Sequence, residues 1–132
     1  MSNSFTGTEP EKKTDHIFSA RELHENFMGN VDLIKSLLVR FIKRTEPQIT
    51  RIPGLAEGGD WDTAVREAHT IKGSARNLGA RDLGDMAMRW EEACKKKDAA
   101  AVKAMGPEAE GVFARFKAVA EAYLSEGESE KG

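Results

Sequence analysis

The residues best suited to chemistry lie between positions 64 and 80, where His69 is followed by Lys72 and Gly73. If this stretch is a helix turning about 100° per residue, its apolar side chains form one narrow stripe: Ala64, Ala68, Ile71, Ala75 and Leu78. His69 lies about 140° from the middle of that stripe. The imidazole is therefore expected to face solvent.

The predicted surroundings of His69 are basic. Arg66, Gly73 and Arg76 lie on the same side of the helix as the histidine, and Lys72 lies on its flank. Glycine inside a helix costs about 0.5–1 kcal/mol relative to alanine, so Gly73 needs an explanation. Close approach of an anionic partner to this surface would provide one. The alternative for the two arginines is an ordinary solvated helix face.

An exposed imidazole is partly uncharged at neutral pH and can act as a nucleophile. With a phosphoryl group it would form a phosphoramidate, whose N–P bond transfers readily to another acceptor. Lys72 follows His69 by three residues and can reach the phosphoryl oxygens. The sequence has no Walker-type Gly-Lys-Ser/Thr loop and no cluster of Mg²⁺-binding carboxylates. A carrier of this kind would need one enzyme to load it and another to unload it.

Composition limits the remaining possibilities. The chain has 132 residues, enough for one domain, and its formal net charge of -2 argues against a nucleic-acid-binding domain. It has no apolar run of about 20 residues and no signal-peptide core, which predicts a cytoplasmic protein without a membrane partner. The one cysteine, Cys94, cannot form an internal disulfide, and no Cys/His cluster has metal-ligand spacing. We therefore expect no metal or cofactor.

The first half of the chain is predicted to be helical after a polar, disordered tail at residues 1–15. Ser19 and Glu22 form a capping box that starts a short helix burying Leu23 and Phe27. A long amphipathic helix then begins at Val31, and its apolar positions keep one phase across Pro47, which predicts a kinked helix rather than two helices. Pro53 makes its last turn less certain.

Three more helices are predicted to follow. Asp60 caps the histidine helix, which ends near Gly79, and a second helix carries the stripe Leu83, Met86, Ala87, Trp90 and Cys94. The last helix keeps one phase across Gly106-Pro107, again predicting a kink. No stretch alternates as a strand does. The prediction is an all-α antiparallel four-helix bundle with a short additional N-terminal helix, comprising residues 16–125 and followed by a frayed tail at 126–132.

Residues 68–80 read Ala-His-Thr-Ile-Lys-Gly-Ser-Ala-Arg-Asn-Leu-Gly-Ala and are followed by Leu83. This segment resembles the histidine-containing phosphotransfer (HPt) domain of multistep two-component signalling, whose core pattern is His-x-x-Lys-Gly-Ser followed by Leu-Gly-Ala. The resemblance also includes Gly59-Asp60-Trp61, Glu91 and the proline-interrupted helix, so it covers residues 19–123.

The resemblance implies that His69 accepts a phosphoryl group from an aspartate on the receiver domain of a hybrid histidine kinase and passes it to the aspartate of a response regulator. Lys72 would assist the phosphoryl group, and Gly73 would leave room for the receiver to dock. From their place beside the histidine on the helix, rather than from the resemblance, Arg66 and Arg76 are also expected to take part in partner docking. Nε2 is the nitrogen that the resemblance implies. The chain would be a monomeric phosphoryl carrier with a transient phosphohistidine rather than an enzyme.

Other interpretations stay open. The same face could bind a receiver or kinase as a helical adaptor without phosphoryl chemistry. Met1 and the short polar ends favour a self-standing protein, but a fragment of a hybrid kinase would look similar. The phosphoacceptor domain of chemotaxis kinases, a related branch, often has Gly-Gly where Gly73-Ser74 stands here. His16 and His24 are expected to be ordinary surface or cap residues, and Trp61 and Trp90 are expected to be core aromatics. Cys94 is expected to be a small buried hydrophobe.

Overall fold

The computed structural model describes residues 14–131, and the side chains of residues 14–126, so most of the predicted tail, residues 1–13, lies outside the described residues. The described chain is helical and contains no strand, which confirms the all-α prediction. Its helices are α1 (Ala20–Asn26), α2 (Val31–Glu57), α3 (Trp61–Asn77), α4 (Arg81–Lys95), α5 (Ala99–Ala104) and α6 (Gly106–Lys131). The long helices α2, α3, α4 and α6 form the bundle, and α1 and α5 are short additions.

Helix α1 begins as predicted, but only half of the expected capping box forms. The Ser19 hydroxyl accepts a hydrogen bond from the Glu22 amide at 3.2 Å. The Ser19 amide donates to the Gly79 carbonyl at 2.9 Å, and the Glu22 carboxylate binds Arg81 instead of returning to Ser19. These tertiary contacts take the place of the expected hydrogen bond between the Ser19 amide and the Glu22 carboxylate. They fix α1 to the turn between α3 and α4.

Helix α2 is continuous from Val31 to Glu57, so the prediction of one helix across Pro47 is confirmed. The helix also passes through Pro53, where the sequence left its last turn uncertain. Its start is capped by Asn30, whose side chain accepts from the Leu33 amide at 3.1 Å. The buried side of α2 supplies much of the core: Ile34, Leu38, Phe41, Ile42, Ile49, Ile52 and Ala56.

Helices α3 and α4 form a tightly packed hairpin. Asp60 caps α3 through the Thr63 amide at 3.3 Å, and the turn after the helix contains Gly79 at φ +76°. This left-handed conformation favours glycine at the position that follows a helix end. A Cβ atom at Gly79 would lie 2.6 Å from the Ser19 carbonyl oxygen. The glycine therefore permits both the turn and the close approach of the segment before α1.

The last predicted helix is two helices, α5 and α6, separated at Met105. Met105 has φ -81° and ψ -9°, and Pro107 has no amide hydrogen to donate to the preceding turn. Trp90 is buried and its indole nitrogen donates to the Val102 carbonyl at 3.0 Å, which joins α4 to α5. Trp61, predicted as a core aromatic, is only partly buried. Among the described residues no helix has the length and apolarity needed to cross a membrane.

Candidate functional site

His69 lies in the middle of α3, and 64% of its side chain is exposed. The neighbouring Ala68 and Ile71 are buried, as the wheel predicts. The histidine is nevertheless not free in solvent. Its Nδ1 atom is 2.9 Å from Oε2 of Glu91, which comes from α4 across the hairpin.

Glu91 is the centre of the site, because three side chains converge on its carboxylate. Lys72 places its ammonium 2.8 Å from Oε1, and Lys95 lies 3.3 Å from Oε2, the oxygen that His69 also contacts. Only 5% of the Glu91 side chain is exposed. A buried carboxylate is costly unless it is paired and hydrogen-bonded, and this one is paired on both oxygens.

The protonation state of Glu91 follows from these contacts. Burial by itself would raise the pKa of the Glu91 carboxyl, but hydrogen bonds from Lys72, His69 and Lys95 outweigh it and lower the pKa from 4.5 to about 2. The group is therefore a carboxylate at neutral pH. Burial, together with this nearby charge, also raises the pKa of the Cys94 thiol, which stays protonated in the core.

An ionised carboxylate can only accept hydrogen bonds, so Glu91 selects the tautomer of a neutral His69 ring. In that neutral ring Nδ1 carries the hydrogen and donates a hydrogen bond to Oε2 of Glu91. Nε2 then holds the free lone pair on a side chain that is mostly exposed. A positioned, unprotonated nitrogen at the surface is the arrangement that a nucleophilic histidine needs.

Gly73 lies one turn after His69 and is exposed. A Cβ atom built on it would meet no heavy atom of the described neighbouring elements within 4 Å. Of the two arginines predicted beside the histidine, Arg66 is exposed. Arg76 extends across Gly84 of α4, and its guanidinium lies 4.0 Å from the carboxylate of Asp85. The surroundings of His69 are thus less uniformly basic than the sequence suggested.

Sequence reasoning included Glu91 in the resemblance but gave it no role. One signal was present, since Glu91 follows Ala87 by one turn and adjoins Trp90 on the stripe that α4 buries. A charged residue at a buried helix position requires a partner. The sequence did not show that this partner would be the histidine.

A shallow apolar groove of about 270 Å³ runs between α2 and α3 beyond Gly73. Its walls include Phe27, Leu37, Arg40, Arg44, Ser74 and Asn77. The Arg44 guanidinium donates to the Ser74 hydroxyl at 3.3 Å, so a basic rim borders the apolar floor. The sequence analysis did not identify this groove.

The other two histidines make their hydrogen bonds away from the site around His69. His16 contacts Asp82 with Nδ1 2.8 Å from Oδ2, and His24 places Nε2 3.0 Å from the Tyr123 hydroxyl. These contacts join the α1 region to α4 and α6. Among the side chains of residues 14–126, no three His, Cys, Asp or Glu residues are grouped so that they could hold a metal ion.

The chain is similar to known proteins in its sequence and in its fold. Residues 36–125 match the family model of the Hpt domain. The fold is similar to the crystal structure of histidine-containing phosphotransfer protein B (HptB) from Pseudomonas aeruginosa PAO1, with a TM-score of 0.75 and 21% sequence identity over 83% of this chain and 96% of that chain. No curated protein matches the chain in sequence. The family match spans more than half of the chain and includes the histidine helix, and the chain therefore belongs to the Hpt domain family.

Proposed function

We propose that this protein is a phosphoryl carrier of a phosphorelay, in which His69 accepts a phosphoryl group from the aspartyl phosphate of one receiver domain and passes it to an aspartate of another. The observation that carries the proposal is the hydrogen bond between Nδ1 of His69 and the buried carboxylate of Glu91. In a neutral ring this bond places the hydrogen on Nδ1 and the free lone pair on Nε2 of an exposed side chain. Nε2 is therefore the proposed acceptor.

The transfer balances without a proton acceptor. Nε2 attacks the phosphorus, the N–P bond forms as the bond between phosphorus and the aspartyl oxygen breaks, and the receiver's carboxylate leaves. The proton on Nδ1 stays on the ring, which becomes cationic. Glu91, itself almost completely buried, faces that developing charge from 2.9 Å and stabilises it. Transfer to the second receiver is the reverse reaction on a different aspartate.

The remaining site residues have supporting roles in this proposal. Lys72 stabilises the charge on the phosphoryl oxygens. Gly73 leaves open space for the receiver next to His69. Arg66 and Arg76 are exposed near the approach of an acidic receiver site, and the groove between α2 and α3 offers an apolar contact beside it. The carrier acts as a cytoplasmic monomer between a hybrid histidine kinase and a response regulator, and it needs no cofactor.

The test is phosphoryl uptake measured by intact mass. A receiver domain phosphorylated with acetyl phosphate is mixed with the purified protein, and the protein should gain the mass of one phosphoryl group. His69→Gln should abolish the gain with little change in stability, since the position is exposed. The double variant His16→Gln/His24→Gln is the control and should be phosphorylated normally.

Two results would contradict the proposal. Uptake by the His69→Gln protein would place the acceptor elsewhere. Tight binding of receivers with no mass gain in the wild-type protein would favour the adaptor that acts without phosphoryl chemistry.

A further inference from the structure

Two lysines share the carboxylate of Glu91, and they approach it from different helices. Lys72 extends from α3 to Oε1 at 2.8 Å, and Lys95 extends from the following turn of α4 to Oε2 at 3.3 Å. His69 completes the set of titratable groups that act on this carboxylate. One buried anion therefore faces two cations before any phosphoryl group arrives.

The two lysines differ in how firmly they are held. The Lys72 side chain is 21% exposed, whereas the Lys95 side chain is 61% exposed. The proposed role of Lys72 is to stabilise a phosphoryl group on His69, yet its ammonium is bound to Glu91. To reach the phosphoryl oxygens, Lys72 must give up part or all of that contact. Glu91 would then lose its shortest ion pair while remaining almost completely buried.

We propose that Lys95 is a positioning residue that keeps Glu91 paired while Lys72 moves to the phosphoryl group. The inference rests on the proposed phosphoryl transfer at His69. Lys95 binds the oxygen that Lys72 does not use, so it can stay in place during the exchange. Without Lys95, Glu91 would hold Lys72 more strongly, because Lys72 would be its one remaining lysine partner among the described residues.

A double-mutant cycle on single-turnover transfer tests this dependence. The proteins are the wild type, Lys95→Gln, Lys72→Ala and the double variant, each mixed with saturating phosphorylated receiver. In the wild-type background, Lys95→Gln should lower the maximal rate by roughly two- to five-fold, the size expected for one exposed ion pair. In the Lys72→Ala background the same change should have no effect, since no lysine remains to be released.

Three further measurements separate this role from docking or folding. The receiver concentration that gives half-maximal rate should not change in Lys95→Gln. Lys95→Arg should restore the rate, because it keeps the charge. Lys96→Gln, which removes the neighbouring exposed charge at the end of α4, should behave as the wild type.

The possible failures are distinct. An equal effect of Lys95→Gln in both backgrounds, or no effect in either, would overturn the inference while transfer at His69 still occurs. Loss confined to the half-maximal concentration would show that Lys95 contacts the receiver instead. If the wild-type protein takes up no phosphoryl group, the proposed function fails and this inference fails with it.

Discussion

Gly73 follows His69 by one helical turn, and both residues are exposed on the same side of α3. A Cβ atom at Gly73 would lie in open space with respect to the described neighbouring elements. No neighbouring element among the described residues therefore needs the space that a side chain at Gly73 would fill, so packing between helices does not explain the glycine. The open space is consistent with the proposed close approach of a partner to the imidazole.

We expect stability and function to change in opposite directions at Gly73. Gly73→Ala should stabilise the protein by about 0.5–1 kcal/mol, because alanine loses less backbone entropy in a helix. Gly73→Gln should also stay folded, but its longer side chain should slow transfer from and to receivers sharply. Thermal melts and transfer rates of both variants provide the measurement. A lower melting temperature in both variants, with normal receiver transfer, would contradict the docking role.

Gly79 is predicted to respond in the opposite way to Gly73. Its φ of +76° and the Ser19 carbonyl oxygen 2.6 Å from its missing Cβ leave no room for a side chain. Gly79→Ala should therefore destabilise the protein by about 1–3 kcal/mol. Chemical denaturation of Gly79→Ala and Gly73→Ala side by side measures the contrast. Equal stability of the two variants would show that the segment before α1 does not hold this turn in place.

Lys72→Ala should slow phosphoryl transfer without abolishing it, because the nucleophile remains. A hydrogen bond to a charged group contributes about 1.5–3 kcal/mol, so the rate should fall by roughly 10- to 100-fold. The rate should be measured in a single turnover at low salt, where screening is weakest. An unchanged rate would assign Lys72 to the pairing of Glu91 alone.

Glu91→Gln should leave the bundle folded and impair transfer. The amide matches the carboxylate in shape but cannot balance a positive charge on the imidazole. We expect a fall of roughly 10- to 100-fold in the transfer rate, as is typical when a supporting hydrogen-bond partner is lost. Glu92→Gln, at the next and exposed position, is the matched control. Nitrogen NMR of the ring should also show a smaller share of the tautomer protonated at Nδ1, and an unchanged tautomer would refute the orienting role.

The free energy of unfolding should depend on pH in the acid range because the pKa of Glu91 is lowered in the folded protein. Its folded-state pKa is lowered from 4.5 to about 2, so the unfolded state binds the proton more readily than the folded state. The corresponding stabilisation is complete above pH 4.5 and is lost as the pH falls towards 2. Denaturation midpoints measured through this range should fall less steeply for Glu91→Gln than for the wild type. Parallel curves would mean that the carboxylate is not held by these contacts.

Apolar periodicity was enough to predict most of the fold, since the phase of buried residues in α2 continues across Pro47. The same argument was wrong at Met105, where α5 and α6 separate. Both helices turn their apolar residues towards the same core, so phase alone does not distinguish a kink from a break of one residue. The break between α5 and α6 depends on the local backbone at Gly106-Pro107, about which apolar periodicity gives no information.

The candidate-site residues that lie on α3 were predictable from the sequence, but the contact between α3 and α4 was not. The spacing of His69, Lys72 and Gly73 follows from α3 alone, and the structure has all three where the wheel predicted them. The contact with Glu91 depends on the register between α3 and α4, which the turn at Gly79 sets. The apolar pattern of one helix does not specify its register against another helix.

His69 and Glu91 are 22 residues apart in the chain and lie on different helices, so their contact forms only when α3 and α4 are packed together. A helix alone, however well formed, would present an imidazole whose tautomer Glu91 does not fix. In the proposed carrier, the reactivity of His69 is therefore a property of the α3–α4 hairpin as a cooperative unit, and it depends on the packing of that hairpin. In this proposal, a local opening that moves α4 away from α3 weakens the nucleophile while the rest of the bundle is still folded.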